Sequence, residues 1–437
     1  MASSSVLQHT FGQRYRTGDQ LWVREHNLAI LLNYIWEANG PISRSSLTET
    51  SGLNKSTVGS LLAQLQAWGF VKEVGIVNSG LGRPGVMIDI NSDGGRIIGA
   101  EIGVDYISIV MTDLRANVVW RRKAESSSDQ GKQLQADVLA QTAGLVEEAV
   151  HEAQNTGNRL LGIGLGLPGQ VDHSTGTLLF APNLGWKNVP LRDLWLHQFN
   201  VPVIVENDAN ASALGERLLG NARQIDNFIF LSAGVGLGGG LVLDGELYGG
   251  AGGFAGEIGH MTLVPDGPQC NCGNRGCWET LIGPIAIVDS VRQAAILGKT
   301  PILMGLPDVN GDINLIRMEH VLEAAARKES AVLHVLDEVG RYLGIGIASL
   351  VNAFNPSVIV LGGVLSPAGP YILPRAQQEV NARSLAAARR MVKIILSAFK
   401  FDACVMGGAC LVLREILNNP VAWRPEPTHE EPAENIY

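Results

Sequence analysis

Apolar residues recur at helical spacing near the start of the chain. Leu28, Leu31, Leu32, Ile35 and Trp36 share one face of a helix that stops at Gly40-Pro41. A short second helix is expected from Ser43 to Thr50, followed by the tight link Ser51-Gly52-Leu53. Asn54 then caps a third helix whose buried face carries Val58, Leu61, Leu62, Leu65 and Trp68. Two β-type runs follow, Phe70 to Val77 and Val86 to Ile90, joined by Ser79-Gly80-Leu81-Gly82-Arg83-Pro84-Gly85. Helix, helix, Gly-containing turn, helix and hairpin make a winged helix-turn-helix plan over residues 20–90. The exposed face of its third helix carries Lys55, Ser56, Thr57, Ser60 and Gln64, polar groups that can reach phosphates and base edges. Arg44, on the second helix, joins this DNA-facing set, and Arg83 sits in the wing as a cation on thin backbone suited to a minor groove. Winged helices also bind proteins, and Arg-Pro turns are common on surfaces, so that alternative stays beside the first.

Residues 91–96 (Asn-Ser-Asp-Gly-Gly-Arg) read as a linker. Beyond it the pattern becomes α/β, with apolar strands broken by glycine and alternating with amphipathic helices over residues 97–417. Ile97 to Asp113 is a strand, a break at Gly103, a second strand and a turn. Phe228 to Gly250 repeats that plan, with Gly234, Gly236 and Gly238 at the break and Asp244-Gly245 as the hairpin turn. A duplicated strand–glycine–strand unit suggests two related lobes facing a cleft. Chance likeness between glycine-rich strands explains the pattern about as well. From Asn419 to Tyr437 the chain is rich in Pro and Glu and is expected to fray.

Composition narrows the function. The chain has 437 residues and a net charge of −9, which argues against a protein that coats nucleic acid non-specifically. Residues 1–95 hold equal numbers of basic and acidic groups, so the whole excess lies beyond them and leaves room for one small DNA-reading domain. No apolar run approaches the ~20 residues needed to span a bilayer, and the first 20 residues lack the apolar core of a secretory signal. The five cysteines are too few for a disulfide scaffold. Three of them are crowded together, which suggests metal in a reducing, cytoplasmic compartment.

The sharpest chemical signal lies between Glu257 and Glu279. His260 precedes Cys270, Cys272 and Cys277 within Cys-Asn-Cys-Gly-Asn-Arg-Gly-Cys-Trp-Glu. Three thiolates and an imidazole make a complete tetrahedral set for Zn²⁺, with Gly273 and Gly276 letting the backbone curl around it. With every position filled by protein, such a metal is structural; the bland reading is three buried thiols. Glu257 and Glu279 bracket the segment and are placed to accept from hydroxyls. Asn207-Asp208 ends the apolar run Val201 to Val205, where a strand-to-helix loop opens onto a cleft. Asp208 is a base or ligand for a hydroxyl, or simply a helix cap. Asn183 follows Ala181-Pro182, which is also ordinary turn chemistry. The run Gly234 to Gly240 can cradle a phosphate or make a tight hairpin.

These residues resemble the ROK proteins (repressors, open reading frames, kinases) over about residues 20–417. Glu257-Ile-Gly-His260 with Cys-x-Cys-Gly-x-x-Gly-Cys-x-Glu is similar to the family's zinc and sugar signature, and Glu206-Asn-Asp-Ala-Asn-Ala to its sugar-binding segment. The resemblance implies a two-lobed actin-like (ribonuclease H-like) ATPase fold, a homodimer or tetramer, and sugar contacts from Asn183, Asn207, Asp208, Glu257, His260 and Glu279, with His260 also a zinc ligand. Gly40-Pro-Ile-Ser-Arg, Ser51-Gly-Leu-Asn-Lys-Ser-Thr-Val and Gly82-Arg-Pro-Gly resemble the helix-turn-helix and wing of the family's transcriptional regulators. Thr17-Gly-Asp-Gln, Val23-Arg-Glu-His-Asn and Gly103-Val-Asp-Tyr106 look most like the xylose-responsive repressors among them. Kinase members carry Asp-x-Gly-Gly-Thr as their first phosphate loop, whereas this chain has Glu101-Ile102-Gly103-Val104-Asp105. Val104 puts a branched side chain where backbone must approach phosphate, and Asp105 adds negative charge beside a polyanion. Ala233 stands in the second loop where many members have Thr. The expectation is therefore a regulator that binds operator DNA and a sugar, without catalysis and with Asp208 as a vestigial base; the alternative is an ATP-dependent sugar kinase.

Overall fold

Side-chain caps set the helices of the N-terminal unit in the computed structural model, which describes residues 20–77, 85–126 and 135–425. Ser43 accepts from the Ser46 N–H to start the helix Arg44–Ser51, which ends on Gly52 in the left-handed region. Asn54 accepts from the Thr57 N–H and starts the helix Lys55–Ala67. With the helix Gln20–Glu37, these enclose Leu28, Leu31, Leu32, Ile35, Leu47, Leu61 and Leu62, all fully buried. Strands Ile42–Ser43, Gly85–Ile90 and Val71–Val77 close the unit as an antiparallel sheet in that spatial order. Trp68, expected on the buried face, is only half-buried and forms the helix C-cap. Arg83 lies outside the described residues.

The rest of the chain is built on two five-stranded sheets of the same design, with a small three-stranded sheet, Gln170–Asp172, Thr177–Ala181 and Trp186–Val189, on the first lobe. The first runs Val203–Asn207, Leu160–Leu167, Arg96–Ile102, Tyr106–Thr112, Val118–Glu125. The second runs Lys393–Leu396, Val358–Gly363, Phe228–Ala233, Leu237–Leu243, Glu246–Leu247. Each is a three-stranded antiparallel meander with two parallel strands added beside its first strand. The duplication suggested by the glycine pattern is thus a repeat of topology. In each lobe the outer parallel strand feeds a helix, Asp208–Leu218 in the first and Ala403–Asn418 in the second. These two helices pack backbone to backbone, since a Cβ on Gly407 would strike the carbonyl of Ala211.

Two expectations about the chain's joints are corrected. Residues 91–96 are no loose linker. Asn91 Nδ2 donates to the Gly69 carbonyl at 3.0 Å, and Gly94 abuts the Gly69 backbone too closely for any side chain. Nor does the chain fray at Asn419, because Pro420–Trp423 forms a turn of 3₁₀-helix whose Trp423 is buried. The reason is one apolar core shared between units. Leu32, Ile35, Trp36 and Phe70 pack with Leu161, Leu413, Ile416, Leu417 and Trp423 in a single cluster. Asn33 Nδ2 adds a hydrogen bond to the Leu417 carbonyl at 2.9 Å. Among the described residues, no helix is long and apolar enough to cross a membrane.

Candidate functional site

The strand Val203–Asn207 ends where the helix Asp208–Leu218 begins, and this junction faces the second lobe. Asn207 is spent on holding the junction. Its Oδ1 caps the N–H groups of Ala209 and Asn210 at 2.9 and 3.2 Å, and its Nδ2 donates to the Gly169 carbonyl at 3.0 Å. Asp208 is half-buried beside it, and burial lifts its carboxyl to about 6, with the Glu257 carboxylate of the second lobe adding to the rise. Glu257 is itself raised by burial, a rise that His260 opposes and the Glu279 carboxylate reinforces.

From Glu257 a line of polar groups leads to the thiols. Glu257 Oε2 lies 3.9 Å from His260 Nε2, while His260 Nδ1 lies 3.5 Å from Glu279 Oε1 and 3.6 Å from Cys270 Sγ. The imidazole therefore faces the cleft with one nitrogen and the cysteines with the other. Cys270 Sγ donates to Glu279 Oε1 at 2.9 Å, and Cys272 and Cys277 sulfurs are 3.7 Å apart. One ligand atom from each of His260, Cys270, Cys272 and Cys277 falls within 4.8 Å of all the others. Ligands about 2.3 Å from a tetrahedral Zn²⁺ stand roughly 3.8 Å apart, so the spacing suits that ion. This group can hold a metal. Gly273 and Gly276 both have positive φ, 94° and 66°, and the Gly276 N–H donates to the Pro268 carbonyl at 2.8 Å to close the knuckle. Trp278, fully buried, anchors it by donating from Nε1 to the Tyr342 carbonyl at 3.1 Å.

The two glycine loops differ. In the first, the Tyr106 hydroxyl donates to the buried Glu101 carboxylate, and the Tyr106 ring lies across Gly103. Burial pushes Glu101 up to about 7, the tyrosine bond opposing that rise and the Asp208 charge reinforcing it. In the second loop, Gly234 faces open space and Gly236 lies directly against Glu279. The remaining glycines of that run serve packing. Gly238 and Gly240 admit Ala209 and Ala213 of the helix Asp208–Leu218, and Gly239 admits Ile258.

The structure thus brings Asp208, Glu257, His260 and Glu279 together, while Asn183 is exposed on the turn between strands Thr177–Ala181 and Trp186–Val189. Sequence reasoning missed a bridge beside them. Glu206, buried, accepts from the Asn207 N–H at 2.7 Å and Asn210 Nδ2 at 3.0 Å, and pairs with His173 Nδ1 at 3.0 Å. The far nitrogen of His173 lies 3.2 Å from the Gly253 carbonyl on the loop that leads to Glu257. No local spacing announces a contact between residues 173, 206 and 253. On the N-terminal unit, Lys55, Ser56 and Ser60 are exposed, Thr57 and Gln64 half-buried. Arg44 is ion-paired to Glu73, which reduces what it can offer a polyanion.

Comparison with known proteins yields four relevant findings. A model of the ROK family matches residues 97–415. The xylose repressor of Caldicellulosiruptor bescii is 35% identical over 403 residues, 92% of this chain and 99% of that protein. A glucokinase of Halalkalibacterium halodurans is 32% identical but aligns with 73% of this chain, at 95% of its own length. The crystal structure of a ROK transcriptional regulator, described as a homolog of the E. coli MLC protein, superposes with a TM-score of 0.78 at 31% identity, covering 92% of this chain and 98% of that one.

Proposed function

The chain belongs to the ROK family, and from that premise we propose that it is a sugar-responsive transcriptional repressor whose effector is xylose or a close relative. The observation that carries this reading is the shared apolar core. The winged-helix unit is welded to the helix Ala403–Asn418, which packs against the helix that starts at Asp208. Sugar hydroxyls would be accepted by Asp208, Glu257 and Glu279 and met by His260 Nε2, with Asn183 and Asn207 completing the shell at the first lobe. A sugar that bridges the lobes favours one lobe arrangement, and only its differential affinity for that arrangement can shift the attached reading head. Operator DNA would meet Arg44, Lys55, Ser56, Thr57, Ser60, Gln64 and Arg83, in a homodimer or tetramer.

Zinc fits the donor set of His260, Cys270, Cys272 and Cys277, and when bound it supplies rigidity rather than chemistry, since protein fills all four positions. The same imidazole then faces Glu257 through its other nitrogen, so the knuckle orients a sugar ligand directly. Phosphoryl transfer is not part of this reading. The Tyr106–Glu101 bond and the ring over Gly103 crowd the first loop, where backbone would have to approach a phosphate. Asp208 is a ligand retained without its reaction.

The decisive experiment measures affinity for a duplex selected by the full-length protein from a random-sequence library, with and without xylose, at fixed salt. A change of tenfold or more, lost in Asp208→Asn, is expected. Xylose-dependent ATP turnover abolished by Asp208→Asn would overturn the reading in favour of a kinase.

A further inference from the structure

Arg24, read in the sequence only as part of Val23-Arg-Glu-His-Asn, reaches across to the third helix of the winged unit, Lys55–Ala67, its recognition helix. It is exposed on the helix Gln20–Glu37, 40 residues before its main partner. Arg24 Nε donates to Gln64 Oε1 at 3.1 Å, and a terminal nitrogen donates to the same oxygen at 2.8 Å and to Ser60 Oγ at 3.3 Å. No carboxylate pairs with Arg24 among the described residues, so its charge is available at the surface. The recognition helix itself carries Lys55 as its single cation, and Arg44 is neutralised by Glu73.

The chemistry of this contact restricts what the face can read. A guanidinium has donors only, so the Gln64 amide must turn Oε1 toward Arg24 and leave Nε2 for an outside partner. Glutamine pairs with adenine by offering a donor and an acceptor together. With the acceptor engaged twice by Arg24, that pairing is blocked. Ser60 likewise spends a lone pair on Arg24 and keeps its O–H to give.

We propose that Arg24 and the Gln64 amide it orients, with Ser60 as a second anchor, present a donor-only pair on the DNA-reading face, matched to paired acceptors such as the N7/O6 edge of guanine or the phosphate oxygens. The proposal rests on the DNA-binding reading and deepens it. Arg24 is both a contact and the positioning residue that denies Gln64 an adenine partner.

The test selects binding sites from a random-sequence duplex library with the full-length protein, its Arg24→Ala variant and its Arg24→Lys variant. Salt dependence is then measured on one selected duplex. Because Arg24 is exposed, the melting temperature of Arg24→Ala should match wild type. Guanine reading predicts that a position selected as guanine shifts to adenine or loses preference in Arg24→Ala. Phosphate reading predicts an unchanged motif, affinity at least tenfold weaker, and a log–log salt slope reduced by about 1; Arg24→Lys recovers that slope. Motif, affinity and slope all equal to wild type in Arg24→Ala would overturn the proposal while leaving DNA binding intact. A wild-type protein that enriches no sequence and binds no duplex would bring down the DNA-binding reading and this inference with it.

Discussion

The two lobes repeat one strand order but treat their hairpin loops in opposite ways. The first loop is closed on itself, with the Tyr106 hydroxyl on Glu101 and the ring over Gly103. The second is open at Gly234 and touches the carboxylate of Glu279 at Gly236. One loop is thus a plug and the other a support. The lesson is that two lobes can share one topology while one hairpin loop is filled from within and the other stays open.

The largest effect is expected from the support side. Cys272→Ser should abolish zinc retention, lower the melting temperature and remove the response to sugar, as read by metal analysis and a thermal-shift titration with xylose. Retention of a full equivalent of metal would refute the ligand set. Next, Gly236→Val drives a side chain onto Glu279 and should weaken sugar binding more than tenfold, whereas Gly234→Ala, where nothing lies within 4 Å, should leave it unchanged. Equal effects at both glycines would erase the contrast between them.

The plug side is tested through pH. Glu101 binds its proton more tightly when folded, so its contribution falls as pH rises from the ordinary carboxylate range through about 7. Glu101→Gln should therefore be near neutral at pH 4 and increasingly stabilising up to pH 8.5, by on the order of 3 kcal/mol in urea unfolding. A variant no more stable than wild type at pH 8.5 would mean that the carboxylate is not held in a dry plug. The smallest effect concerns the bridge between lobes. His173 is raised, chiefly by its hydrogen bond to Glu206. Its contribution is fully present below the ordinary histidine pKa and is lost as pH rises through the higher native value. In a Glu101→Gln background, His173→Gln should lower thermal stability by a few degrees at pH 6 and by less at pH 8.5; a loss equal at both would assign His173 a packing role alone.

Much of this was legible in the chain. Ser43, Gly52 and Asn54 announce their caps and turn because those preferences are local, and the Cys-x-Cys spacing with two glycines announces its knuckle for the same reason. The repeat around Gly103 and Gly234–Gly238 gave away the paired lobes. What stayed hidden depends on contacts far apart in sequence. Nothing near residue 91 says that its segment will lie on Gly69, and nothing near Glu206 points to His173 or Gly253. Asn207 carries a second role for a similar reason, since its side chain caps a helix and ties down Gly169 while one Nδ2–H remains to donate. Arg44 looked free until the fold set Glu73 beside it.

The seam between the N-terminal unit and the final helix leaves neither side whole alone. Leu413, Ile416 and Leu417 are covered by Leu32, Ile35 and Trp36. Severing residues 1–95 from this protein would bare that oily helical stripe to water and leave a sticky scar.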